Sequence, residues 1–102
     1  MKRVYPAIFT QTKNGYLIEV PDLEILTQGS DLFNAIEMAR DAISITIAVM
    51  EENKDTIPEG SNLEDIDVAS GEFAGKGKSF VSMVDIDTDA YRSKTKISDK
   101  IS

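Results

Sequence analysis

Residues 30–53, SDLFNAIEMARDAISITIAVMEEN, constrain the fold of this 102-residue chain more than any other stretch. Leu32, Ile36, Ala39, Ile43, Ile47 and Met50 recur at steps of three and four, which sets them on one stripe of a 3.6-residue helix. Phe33, Ala42, Thr46 and Val49 widen the stripe, as expected of a helix lying on a sheet. Glu37, Arg40, Asp41, Ser44 and Glu51 fall away from its centre. Gly29 breaks the preceding segment, and Ser30 is placed to cap the free N–H groups of the first turn. Asp31 then sits in that turn, where the helix dipole favours negative charge. A helix of about 23 residues is roughly 34 Å long. Burying six large apolar side chains contributes on the order of 9–18 kcal/mol gross, before the entropy of ordering is subtracted. The rest of the chain is therefore read as the sheet that this helix covers.

Before the helix the pattern changes to period two. Arg3–Thr12 has strand composition, and Pro6, which cannot donate to a ladder, predicts either an edge position for that strand or a missing donor that points outward. Asn14-Gly15 suits a type I′ hairpin turn, and Tyr16–Val20 is the return strand. Pro21-Asp22 ends it, and Ile25–Gln28 makes a short third strand. After the helix, Lys54–Gly60 reads as a loop. Ser61-Asn62-Leu63-Glu64 matches a capping box and predicts one helical turn over Leu63–Ile66. Val68–Lys78, with three glycines, predicts a flexible connection holding an extended piece at Glu72–Ala74. Phe80–Asp87 is a strand that must join the first three, since a lone strand is not stable. Thr88 is placed to cap a turn running to Tyr91. The expected fold is α+β: a three-strand antiparallel meander, a long helix and a fourth strand, β-β-β-α-β. One domain spans residues 1–92, and residues 93–102 form a Lys/Ser-rich flexible C-terminal tail.

Composition narrows the chemistry. There is no cysteine and no histidine, which removes disulfides, thiolate metal sites, cysteine nucleophiles and every Ser-His or Cys-His pair. No apolar run approaches the length of a membrane span, and the N-terminus lacks the apolar core of a signal peptide, so a cytoplasmic protein is expected. Net charge is −7. Residues 1–92 carry 8 Lys+Arg against 17 Asp+Glu, while residues 93–102 carry 3 against 1. An acidic body repels phosphate backbones and suits a basic protein partner. Acidity of this kind also serves simply to keep a protein soluble.

Asp85, Asp87 and Asp89 alternate, as carboxylates binding a hard cation do. They resemble the opening of an EF-hand loop, yet its sixth and twelfth positions hold Ala90 and Lys96 instead of Gly and Glu. A strand edge and a helix cap explain them more simply. Gly71, Gly75 and Gly77 match no phosphate-binding fingerprint. Tyr5, Phe9 and Tyr16 lack the basic neighbours of a nucleic-acid stacking platform, so packing is the simpler role. Met38, Met50 and Met83 are read as core fillers.

YPAIF at Tyr5–Phe9, the Gly15-Tyr16 turn, VPDLEILTQG at Val20–Gly29 and the helix that follows resemble the N-terminal domain of HicB antitoxins. VDID at Val84–Asp87 and DAYRSK at Asp89–Lys94 resemble the end of that domain, so the likeness spans roughly residues 3–94. It implies a partial ribonuclease-H-like fold without the nuclease carboxylates. It implies binding to a small basic mRNA interferase of the HicA type, whose active site the antitoxin blocks. No enzymatic activity, no cofactor and no metal are expected. A homodimer or higher homo-oligomer is expected. HicB proteins of this kind commonly continue into a DNA-binding domain, whereas this sequence stops soon after the last matching motif, so tight operator binding is not expected of it. Candidate partner-binding residues are Tyr5, Phe9, Tyr16, Asp22 and Glu24. Two other classes compete: a small RNA-binding module, against which the charge speaks, and a metal-dependent hydrolase using Asp85, Asp87 and Asp22, which lacks convergent acids.

Overall fold

A computed structural model describes residues 1–90. Four strands form one antiparallel sheet in the order β3-β2-β1-β4: β1 Lys2–Thr12, β2 Gly15–Val20, β3 Ile25–Gly29 and β4 Lys78–Asp87. A single long helix, α1, spans Leu32–Glu52. Among the described residues no helix is long and apolar enough to cross a membrane.

β1 lies in the middle of the sheet, so of the two readings of Pro6 the edge position is corrected and the outward-pointing missing donor holds. It pairs with β4 along almost its whole length, Lys2↔Asp87 to Gln11↔Lys78. Its pairing with β2 begins only at Ile8↔Glu19. Pro6 therefore lies in the half of β1 that β2 does not reach, where one flank of the backbone has no strand to bond. The first hairpin also differs from expectation. Thr12 pairs with Gly15, so the loop is Lys13-Asn14, and of these residues only Gly15 has a positive φ, +134°. A type I′ turn would need two. Thr12 closes the loop through its hydroxyl, which accepts from the Asn14 N–H and donates to the Gly15 carbonyl, both at 3.2 Å.

Strand alternation sends Tyr5, Ala7 and Phe9, with Ile18, Val20, Ile25, Val84 and Ile86, toward α1. Ala35, Ala39, Ile43 and Ile47 meet them, and Ile36 and Met50 pack at the margin. Leu32 and Phe33 belong to the stripe by spacing but are 43% and 74% exposed. Ala35 takes their place. Asp31, one residue after the expected cap, is the N-cap: its carboxylate accepts from the Asn34 N–H at 2.8 Å. Asn34 returns the favour by accepting from the Ser30 N–H at 2.9 Å. At the other end Lys54 holds the left-handed position, φ 59°, with its N–H donating to Glu51 and that of Asp55 to Met50. This is a Schellman ending with lysine where glycine is usual.

The connection from α1 to β4 covers the opposite face of the sheet, where Pro6, Ile8 and Thr10 are buried. It starts on the helix side, where the Tyr5 hydroxyl donates to the Pro58 carbonyl at 2.7 Å. It is then fixed by Asp22, whose carboxylate accepts from the Ser61 N–H at 2.9 Å and from its hydroxyl at 2.6 Å. Ser61 is thus spent on Asp22, and the 3₁₀ turn Leu63–Asp65 has no side-chain cap, unlike the expected capping box. A second 3₁₀ turn follows at Val68–Ser70, and turns rather than an extended piece occupy 72–75. The Glu72 N–H donates to the Glu19 carboxylate at 3.0 Å. Gly77 presses so closely on the Gln11 carbonyl that a Cβ there would collide with it. The glycines here serve close approach to the sheet as well as turning. At the end of β4, Asp87 accepts from the Asp89 N–H, so Asp87 rather than Thr88 caps the turn. Thr88 is buried and bonds the Met1 carbonyl through its N–H and hydroxyl. Tyr91 and the tail at 93–102 lie outside the described residues.

Candidate functional site

The five candidate partner residues do not form one surface. Tyr5 is wholly buried and Phe9 is 1% exposed, both under α1, so neither offers area to a partner. Phe9 stacks on Phe80 with ring centroids 5.3 Å apart. Burial raises the Tyr5 phenol above its ordinary pKa. These two positions are corrected to core: β1 is a central strand, and Tyr5 and Phe9 lie on its helix-facing side with Ala7. Asp22 is half-buried and engaged with Ser61. Glu24 is exposed and holds a left-handed backbone, φ 55°, at the end of the 3₁₀ turn Pro21–Leu23. Tyr16 is half-buried and lines a groove of about 420 Å³ with Leu17, Gln28, Gly29, Asn34 and Met38.

The acidic residues do not converge either. Asp85 accepts from the Arg40 guanidinium at 2.8 Å across the β4 edge. Asp87 lies 3.7 Å from the terminal amine of Met1, and Asp89 2.7 Å from it. Asp22 is tied to Ser61 in the connection. Among the described residues no group of three acidic side chains could hold a metal ion. The bond from Arg40 lowers the Asp85 pKa below the ordinary carboxylate value. A carboxylate lowered in the folded state favours folding above its unfolded pKa, and that contribution is lost as pH falls through the folded value. The pair is open to water, 53% and 71% exposed, so its effect is screened. Arg40→Ala is therefore expected to raise the Asp85 titration, followed by carboxyl NMR, toward the ordinary carboxylate range while the melting temperature near neutral pH hardly moves. An unshifted titration would show that the pair does not persist in solution.

The outer side of α1 carries what the sequence reading missed. Met38, Ile45 and Val49 are 38%, 43% and 49% exposed and follow one another with Ala42 at steps of four, three and four. They make a second apolar stripe beside the core stripe, with Ala42 packed against the core and Met38, Ile45 and Val49 open to solvent. Met38, which the sequence suggests as a core filler, and Val49, which its spacing assigns to the core stripe, both face solvent instead. The available signal was width: the apolar arc of α1 is broader than one sheet face can cover. Met83, also read as a core filler, is 39% exposed on β4.

The model of the HicB-like antitoxins of bacterial toxin–antitoxin systems matches residues 5–99. The chain belongs to this family. A chain in a toxin–antitoxin complex from Streptococcus pneumoniae is similar to this HicB-like chain, with 26% identity and a TM-score of 0.77 over 89% of this chain and 73% of that one. The HicA3 and HicB3 toxin–antitoxin complex contains a further similar chain, with 17% identity and a TM-score of 0.65 over 82% of this chain and 98% of that one. At that identity the second likeness concerns the fold alone. Among curated protein sequences no match was found. The four-stranded antiparallel sheet and long helix are thus the frame of a HicB-like antitoxin.

Proposed function

We propose that this chain binds a toxin of the HicA type and blocks its cleavage of mRNA in the cytoplasm, without catalysing a reaction itself. The family match over residues 5–99 carries this reading. The toxin–antitoxin complex that holds a similar chain supports it. So does the chemistry of the sequence. A chain with neither His nor Cys would depend on carboxylates for catalysis, and Asp22, Asp85 and Asp87 are each held apart by a different structural partner. The net charge of −7 would speed the encounter with a basic toxin and repel RNA.

The test is co-expression and co-purification with the small protein encoded beside this gene, followed by an RNA-cleavage assay. A stable complex is expected, in which cleavage by the toxin is suppressed. Failure to associate at micromolar concentration, or undiminished cleavage in the complex, would overturn the reading.

A further inference from the structure

The second apolar stripe of α1 has a one-sided charge border. Asp41 lies three residues after Met38 and four before Ile45, and Glu52 lies three after Val49, so both flank the stripe on the helix surface. Glu37 stands one turn before Asp41, placing two carboxylates side by side, an arrangement that destabilises an isolated helix. The nearest cation on the helix, Arg40, is engaged with Asp85 on the far flank. Among the described residues Glu37, Asp41 and Glu52 form no ion pair, and all three are exposed. At one end Met38 enters the groove that also contains Tyr16 and the Gly29 backbone. The surface thus joins exposed aliphatic area, a concavity at one end and uncompensated negative charge along one side.

We propose that this stripe, Met38-Ala42-Ile45-Val49 with Tyr16 at its end, is where the toxin docks, through a face that presents basic residues around apolar ones. This rests on the antitoxin reading above and adds the place and chemistry of contact. A second copy of the chain is the poorer occupant. Antiparallel packing of two such helices about Ala42 and Ile45 would bring the Asp41 and Glu52 borders of both copies together, like charge against like. A basic partner neutralises the same border. It also removes the repulsion that Glu37 and Asp41 exert on each other in the unbound chain. The apolar stripe then governs how slowly the complex dissociates, and the acidic border how fast it forms.

The experiment measures binding of the purified adjacent-gene toxin to the full chain by surface plasmon resonance, with thermal melts of each variant. Ile45→Arg with Val49→Arg is expected to weaken affinity at least 100-fold at an unchanged melting temperature, since both side chains are already about half exposed. Asp41→Lys with Glu52→Lys, which adds no apolar disruption, is expected to slow association about tenfold at low salt and to converge on wild type at high salt. Leu26→Arg is the control: it is 54% exposed on the sheet face away from α1 and should bind as wild type does. Wild-type affinity in both the stripe and the border variants overturns the docking site while leaving the antitoxin reading intact. Loss confined to Phe33→Ala, on the Arg40 flank, overturns it in the same way. Stripe variants that change only the oligomeric state of the chain assign the stripe to a second copy and overturn the proposal. Wild-type chain that does not bind the toxin at all overturns both.

Discussion

Ile43→Asp is expected to abolish the cooperative thermal transition of this protein. Ile43 is wholly buried at the centre of α1 and belongs to the single core that the helix forms with all four strands. The substitution removes an apolar side chain, which alone costs about 2–5 kcal/mol when the cavity cannot collapse. It also places a carboxylate where no cation is at hand. Such a group either carries the penalty of burial or protonates, and both routes are expensive. Set against a total stability of roughly 5–15 kcal/mol, the combined effect exceeds what a domain of this size tolerates. Far-ultraviolet circular dichroism and a melt are sufficient. A variant that keeps its helical signal and its transition would place α1 elsewhere.

Gly77→Val is expected to cost roughly 2–4 kcal/mol, read from the urea midpoint. The reason is local and backbone-borne. Gly77 precedes β4 by one residue and lies against the Gln11 carbonyl near the end of β1, with the Thr10 methyl beside it. A side chain at 77 must push the connection off the sheet or move β1 itself. Either displacement disturbs the Gln11↔Lys78 end of the β1–β4 ladder and the bond of 2.7 Å between the Thr10 and Ser79 hydroxyls. Lys76→Ala, one residue earlier and exposed, should be nearly neutral. Equal midpoints for the two variants would mean that the connection does not hold this approach in solution.

The two substitutions mark what the sequence discloses and what it hides. Period-two and period-3.6 patterns located all four strands and the helix to within one or two residues, because burial on one face leaves a direct trace in residue order. What they could not disclose was which neighbour each strand takes. Pro6 argued for an edge or for an unpaired flank, because the rule concerns a missing donor and does not say which. The structure takes the unpaired flank, by ending β2 opposite Ile8. Tyr5 and Phe9 read as packing residues first and as partner contacts second, because aromatic residues near a hairpin serve both surface and core. Only the central position of β1 decides for the core. The glycines of the connection looked like freedom. Close approach to another segment leaves no periodic signal, so Gly77 against Gln11 had to be seen. The outer stripe of α1 was present in the letters, but an apolar residue on a helix reads as core until the available sheet has been measured against it.

The pairing of Lys2 with Asp87 has a consequence for the order of events when the chain is made. The first hairpin, the third strand and α1 involve neighbours in sequence and can assemble from the first half of the chain. The remaining side of β1 cannot be satisfied until residues 78–87 exist, and closing that loop brings together segments separated by nearly the whole domain. At about 5–20 residues per second, synthesis itself leaves the incomplete sheet waiting for seconds. Through that interval β1 offers an open row of N–H and C=O groups flanked by Val4, Ile8 and Phe9, a template for pairing with other nascent chains. Contacts of such long range also slow the final step. A newly made molecule completes its sheet only after its last strand has reached its first, so its supply is set by the rate of folding as well as by the rate of translation.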